Sequence, residues 1–236
     1  MKKPMKKPIK KTLSLIAITI SLLSSHQAYA KTEGNYVGIN LLRNNAKTKS
    51  TSTLASDNGE GINSLYNHSN KNFTHGFGLK YSYAFNFNNF FVTNEISYEL
   101  LNNKINSGFF DATENYFLQK VKLKNAMTLK TDLGYDLNDQ FAFYVPIGIS
   151  KFSYDFETAD VGGDDRKFTK KSNNKSATFI GFGLSYAPVK NWTINLEYNK
   201  YQNFKLTSVE GATFEGGKVI SKTNLDSIKL GLSYRF

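Results

Sequence analysis

Large apolar residues occupy every second position along most of this chain. The last nine residues are the clearest case. Ile228, Leu230, Leu232, Tyr234 and Phe236 alternate with Lys229, Gly231, Ser233 and Arg235. Successive strand side chains point to opposite faces, so period two predicts a β-strand with one apolar and one polar face. A chain that stops on an aromatic residue departs from the polar, frayed ends usual in soluble domains.

The same alternation predicts seven further strands: 34–44, 73–85, 90–101, 117–137, 141–154, 176–187 and 192–204. Phe73, His75, Phe77, Leu79, Tyr81 and Tyr83 share one face of the second, with Gly76, Gly78, Lys80 and Ser82 on the other. In the third, Asn94 interrupts the apolar face. In the fourth, Val121, Leu123, Met127, Leu129, Leu133 and Tyr135 oppose Lys120, Lys122, Lys124, Lys130 and Asp132. A helix would scatter those lysines around its circumference. Pro146 lies on the polar side of the fifth strand, where its missing N–H predicts a lost ladder bond or a bulge.

Polar segments without periodicity separate the strands, and their lengths alternate. Turns at 86–89, 136–140 and 188–191 are short. Segments 45–72, 102–116, 155–175 and 206–222 are long and predict exposed loops. Eight strands of this length match those that cross a bilayer at a tilt, and the short-long alternation matches a membrane barrel. A repeat supports hairpin units: Gly78-Leu79-Lys80-Tyr81, Leu133-Gly134-Tyr135, Gly183-Leu184-Ser185-Tyr186 and Gly231-Leu232-Ser233-Tyr234 recur at the end of every second strand. Tyr suits the lipid–water boundary, where its ring is buried and its hydroxyl stays wet.

Composition narrows the function. The 236 residues contain 19 Phe and 14 Tyr but no Cys, which excludes disulfides, thiolate metal sites and a lipidated N-terminal Cys. The net charge of +11 overstates the basic character. Six lysines crowd the first eleven residues, and without them 24 basic residues face 19 acidic ones. That weakens a nucleic-acid reading. Those lysines begin a secretory signal peptide over residues 1–30. A basic n-region precedes the apolar run 13–23, and Ala28-Tyr29-Ala30 forms the cleavage site before Lys31. The apolar run is too short to span a bilayer as a helix. The mature chain, 31–236, is expected to be exported.

Alternation does not reveal which face points outward, and a soluble sandwich with its apolar face inside fits it too. The glycines and charges of the second face, the alternating loops and the terminal Phe favour the membrane. In a narrow barrel the inward charges must pair or keep water. The expected interior set is Lys80, Glu95, Glu99, Lys124, Lys130, Glu197 and Lys229. Counting from the 86–89 turn places Lys80 opposite Glu95 and Glu99 near Lys124 or Lys130. Glu197 and Lys229 are expected between the last two strands. Catalytic chemistry finds little footing, and neither an enzyme activity nor a cofactor or metal is expected. The mature chain has only His68 and His75, with no Ser or Asp set beside them. Acids at 160–165 lack EF-hand spacing.

Nearly all of the mature chain resembles the eight-stranded outer-membrane β-barrel superfamily, which includes the transmembrane domain of outer membrane protein A and opacity-like surface proteins. The ending Tyr234-Arg235-Phe236 and the Gly-Leu-x-Tyr repeat carry the resemblance. The opening Gly34-Asn35-Tyr36-Val37 is similar to rickettsial-type surface antigens and adhesins. The resemblance implies an all-β, eight-stranded antiparallel up-and-down barrel in a Gram-negative outer membrane. It implies that Ile228, Leu230, Leu232, Tyr234 and Phe236 form the assembly signal read by the barrel assembly machinery. The short turns would be periplasmic and the long loops external. The function expected is that of an adhesin or surface antigen, with a small porin or passive structural protein as the alternative. Expected partners are outer-membrane lipid, lipopolysaccharide and host-cell surface molecules met by the loops. Lys47, Lys49, Lys170, Lys171 and Lys175 would attract lipopolysaccharide phosphates or acidic glycans.

Overall fold

The computed structural model describes residues 33–53, 66–110, 116–160, 168–207 and 218–236. The predicted signal peptide, with Ala28, Ala30 and Lys31, lies outside the described residues. The strands are β1 (Gly34–Thr53), β2 (Tyr66–Phe87), β3 (Phe90–Phe110), β4 (Tyr116–Asp136), β5 (Phe141–Asp160), β6 (Phe168–Val189), β7 (Trp192–Tyr201), β8 (Phe204–Thr207) and β9 (Lys218–Arg235). β7 and β8 both pair with β9 and are parted only by Gln202 and Asn203, so they make one interrupted stave. The barrel therefore has eight staves, each antiparallel to its neighbours, and the β1–β9 ladder closes it.

The register fixes the barrel's dimensions. Followed from partner to partner, Asn35 leads through Tyr83, Asn94, Thr131, Ile147, Ile180, Lys200 and Asp226 back to Asn45, ten residues along β1. That stagger over eight staves sets a tilt of about 40° and a backbone radius of about 8 Å. Such a bore is filled by side chains.

The structure answers which face points outward. Ile39, Leu41, Leu79, Ile96, Leu129, Ile147, Ile180, Leu196 and Leu230 are exposed, whereas Asn40, Ser82, Glu95, Thr128, Ser150, Asn195 and Ser227 are buried inside. A soluble barrel would reverse this. On β9 the apolar stretch from Ile228 to Phe236 rises about 20 Å at this tilt, close to the roughly 25 Å band of a membrane barrel. At the short-turn end aromatic rings adjoin from strand to strand. Phe90 meets Tyr135 at 5.0 Å, Phe141 stacks on Tyr186 at 4.7 Å, and Trp192 meets Tyr234 at 5.1 Å. This is an interfacial girdle.

Two of the short turns are tighter than expected. Residues 88–89 and 190–191 are two-residue turns, and Asn88 and Asn191 take positive φ, which Asn tolerates better than most residues. The tighter first turn pairs Phe87 with Phe90, so Glu95 stands opposite Ser82 rather than Lys80.

The long loops are shorter than expected, because the strands continue into them. β1 runs on to Thr53 and β5 to Asp160, while β2 begins at Tyr66 and β9 at Lys218. Beyond lipid both faces of a strand can be polar, so pairing persists where the alternation fades.

Two bulges also change which side chains face inward. The β4–β5 ladder shifts between Leu123 and Asn125, and β3–β4 shifts between Leu100 and Asn103, next to Asn102 at φ 40°. An extra residue flips the alternation. Val121 and Leu123 are therefore buried inside while Met127 and Leu129 face out, and Lys120, Lys122 and Lys124 leave the face they were expected to share with Lys130. Pro146 costs pairing without a bulge: β5 and β6 pair up to Tyr144 and resume at Ile147 in unchanged register.

Candidate functional site

Two inward glycines explain part of the repeat. Gly134 pairs with Phe91 and Gly183 with Tyr144, and a Cβ on either would fall within about 2.1 Å of the facing ring. Each glycine leaves the room that a neighbouring aromatic fills. At Gly231 the space is taken instead by Asn40 and the Lys80 ammonium.

Above these rings the bore is crossed by charges. Lys130 Nζ contacts Glu197, lies 3.1 Å from Asp132 and 3.7 Å from Glu95, and sits over the Tyr144 ring. Lys80 Nζ stands 3.5 Å from Glu95, reaching it diagonally. Tyr144 donates its hydroxyl to Glu197 at 3.3 Å, and the Asn199 amide donates at 2.5 Å. Lys229 pairs with Glu99 across the lumen. Three lysines and four carboxylates, all buried or nearly so, thus form a plug. The cavity left among Asn40, Lys80, Glu95, Lys130, Asn195 and Glu197 is about 10 Å³, room for one water at most.

The plug differs from the expected set in three ways. Glu99 takes Lys229, not Lys124 or Lys130, because the ten-residue stagger brings β9 level with that part of β3. Lys124 is not interior: the β4 bulge turns it outward, 2.7 Å from Asp155. Asp132, expected on the inward face but not among the pairing charges, joins the plug.

A second feature caps the bore on the side of the long connections. Leu101, Val121, Leu123, Phe152, Phe156, Phe179, Tyr201 and Leu206 form a buried apolar cluster inside the barrel. Phe152 stacks on Phe204 at 5.4 Å and lies 5.4 Å from Tyr201. Its signal was present in Phe152, Tyr154 and Phe156, which fall on the inward parity of β5.

Outside the apolar band, beyond Lys151, lies an ionic clamp that the sequence placed in a loop. Asp155 is held by Lys124, by Lys170 at 3.2 Å and by the Ser172 hydroxyl at 2.6 Å. Glu157 answers Lys120 at 3.0 Å. Burial works to raise the Asp155 pKa, but hydrogen bonds from Lys124, Ser172 and Lys170 outweigh it and bring the carboxyl down to about 2. A depressed acid stabilises the fold above its unfolded value near 3.8 and loses that contribution as pH falls through about 2. The difference in thermal midpoint between wild type and Asp155→Asn should therefore be widest above about pH 4 and close towards pH 2. A difference that does not vary with pH would show that the charge is not what holds the clamp.

The expected assembly residues Ile228, Leu230, Leu232, Tyr234 and Phe236 line the outer face of β9 and its end. Arg235 ties β9 to the β6–β7 turn at that end, donating to the Asn191 side chain at 2.8 Å. His75 faces outward, and the side chain of His68 is outside the described set, as are most of the acids at 160–165.

A family model described as the outer membrane protein beta-barrel domain matches residues 15–236. Ail, the attachment invasion locus protein of Yersinia pestis, shares 20% identity over 87% of this chain and 100% of its own, with a TM-score of 0.41. The outer membrane protein OprG of Pseudomonas aeruginosa shares 14% over 90% and 99%, with a TM-score of 0.47. The outer membrane protease OmpT of Escherichia coli shares 12% over 86% and 97%, also at 0.47. No curated protein sequence matches significantly.

Proposed function

The chain belongs to the outer membrane β-barrel family, and from that premise we propose that it is a non-enzymatic surface protein, an adhesin or surface antigen, whose outward strand ends make the contacts. The protein resides in the bacterial outer membrane. The observation that carries the proposal is the length of the strands past the lipid band. β1 continues from Leu41, the last exposed aliphatic residue, to Thr53, and β5 continues from Ile149 to Asp160. Paired sheet, an internal apolar core and the Asp155 clamp stiffen this projection, which gives a binding surface low ordering cost. Insertion would involve outer-membrane lipid and the barrel assembly machinery, with β9 as the segment recognised.

A small porin is the second reading. The plug around Lys130 and the apolar cluster above it count against it, since ions need a wetted path. Two measurements separate the readings. Beads carrying the purified barrel should bind host cells and lose binding when 45–72 and 155–175 are trimmed, while planar bilayers should show no steady conductance. Unit conductance together with absent cell binding would reverse the assignment.

A further inference from the structure

Asn94 interrupts the lipid-facing row of β3. It lies between Val92 and Ile96 and is exposed on the outer face. Phe90 of the girdle is four residues below it, and Leu100 is six residues above. At the barrel's tilt those separations are about 10 Å and about 15 Å along the membrane normal. The side chain therefore stands near the middle of the apolar band. A lysine at that depth snorkels to an interface, but asparagine is too short to do so.

The rest of the exterior is apolar at this level. Four residues in from the girdle rings Phe141, Tyr186, Trp192 and Tyr234 stand Val145, Phe182, Leu196 and Leu230. Four residues in from Phe90 and Tyr135 stand Asn94 and Thr131. Thr131 donates its hydroxyl to Asn94 Oδ1 at 2.8 Å. Asn94 Nδ2 keeps both hydrogens without a partner among the described residues. Hydrocarbon offers no acceptor, so an unmet amide is costly there. Just above, Leu79, Tyr81, Ile96, Tyr98 and Met127 line an open groove of about 350 Å³ on the same outer face.

Membrane geometry selects what meets this flank. Two barrels inserted in the same direction are related by a twofold axis along the membrane normal. Such an axis sets each residue near it against its own counterpart at equal depth. A carboxamide is donor and acceptor at once, so two Asn94 side chains complete one another. An unrelated protein would need a polar group of its own at that same depth.

We propose that the β2–β3–β4 flank is an interface with a second copy of this chain within the membrane, Asn94 hydrogen-bonding its counterpart across a twofold axis and the groove of each barrel taking apolar side chains of the other. Two convex barrels touch over few staves, so the dimer is weak and the carboxamide pair sets its geometry. The inference rests on the membrane placement and does not depend on a contact role for the strand ends.

The test uses the full-length folded barrel in lipid vesicles. The chain has no cysteine, so Lys205→Cys, beyond the band, carries either a donor or an acceptor dye. Energy transfer should rise with the protein-to-lipid ratio along a monomer–dimer curve. On that background Asn94→Leu should weaken the dimer about threefold to tenfold, whereas Asn94→Gln, which keeps the carboxamide, should stay within about twofold. In the otherwise cysteine-free chain, iodine oxidation should link Ile96→Cys into a disulfide dimer and leave Leu196→Cys, four staves away, monomeric. Folding of each variant is checked by its migration before and after boiling, and if Asn94→Leu does not fold the crosslinking pair decides. Energy transfer no greater than randomly placed monomers give, equal dimerisation by wild type and Asn94→Leu, or equal crosslinking at both cysteines would overturn the interface. A purified barrel that stays monomeric, with Ile96→Cys linking to a protein of another mass in native outer membranes, would give the flank to a different partner and overturn the second copy.

Discussion

Replacing Lys130 with Met should lower the unfolding free energy of the barrel by about 3–5 kcal/mol. Lys130 is the one cation in contact with Glu197, Asp132 and Glu95 together. Removing it leaves three buried carboxylates with Lys80 near Glu95, Lys229 opposite Glu197 but already paired with Glu99, and a few hydrogen bonds. The buried pair itself is weak evidence for stability, because desolvation offsets most of its Coulomb gain. Breaking it from one side is costly because the remaining charges keep their desolvation penalty. The triple change Lys130→Met/Asp132→Asn/Glu197→Gln should therefore recover much of the loss. Urea unfolding in detergent, read by gel mobility, checks both. A single variant within about 0.5 kcal/mol of wild type would mean that water, not Lys130, solvates the acids.

An Arg in place of Leu196 should cost about 2–4 kcal/mol in a bilayer. Leu196 is 50% exposed and lies level with Leu184 on β6 and Leu230 on β9, away from both ends of the apolar band. In water an exposed Leu-to-Arg change is worth a few tenths of a kcal/mol. In lipid the guanidinium must reach an interface or drag water inward. Reversible unfolding from vesicles measures the difference. The same substitution at Lys205, beyond the band, should be close to neutral. Equal and small effects at both sites would show that the exterior is wet.

The two variants probe opposite faces of the same alternation, and that alternation is why so much of the fold was legible. Between Phe73 and Phe85, or Ile228 and Phe236, lipid demands apolar side chains on one face and the crowded bore demands small or charged ones on the other. Period two follows, and with it the strand count, the short turns and the outward rows. Where those demands lapse, the signal lapses too. Residues 45–53 and 155–160 are strand without alternation, because beyond lipid the outward face no longer has to be apolar. The bulge near Lys124 was hidden, since Val121, Leu123, Met127 and Leu129 keep one parity along the chain while changing face in space. Of the charges that belong inside, all but Asp132 were legible, as was the Lys80–Glu95 pair, but Lys124 was wrongly included and the other partners were not legible. Glu99 and Lys229 are 130 positions apart, and only the stagger of the closed barrel brings them together. Lys80 reaches Glu95 diagonally because the first turn has two residues and not four. The apolar plug was readable only on β5, where Phe152, Tyr154 and Phe156 sit on the inward parity.

Trp192, the chain's only tryptophan, allows the central claim to be tested on the native protein. Its ring is 41% exposed on the outer face of β7, beside Tyr234 in the girdle at the short-turn end. Fluorescence in vesicles of lipids brominated at different chain positions measures its depth. A barrel with an apolar exterior predicts strong quenching by bromines near the headgroup end of the chain and weaker quenching near the bilayer centre. Emission that no brominated lipid quenches would place Trp192 away from lipid and contradict the inside-out barrel.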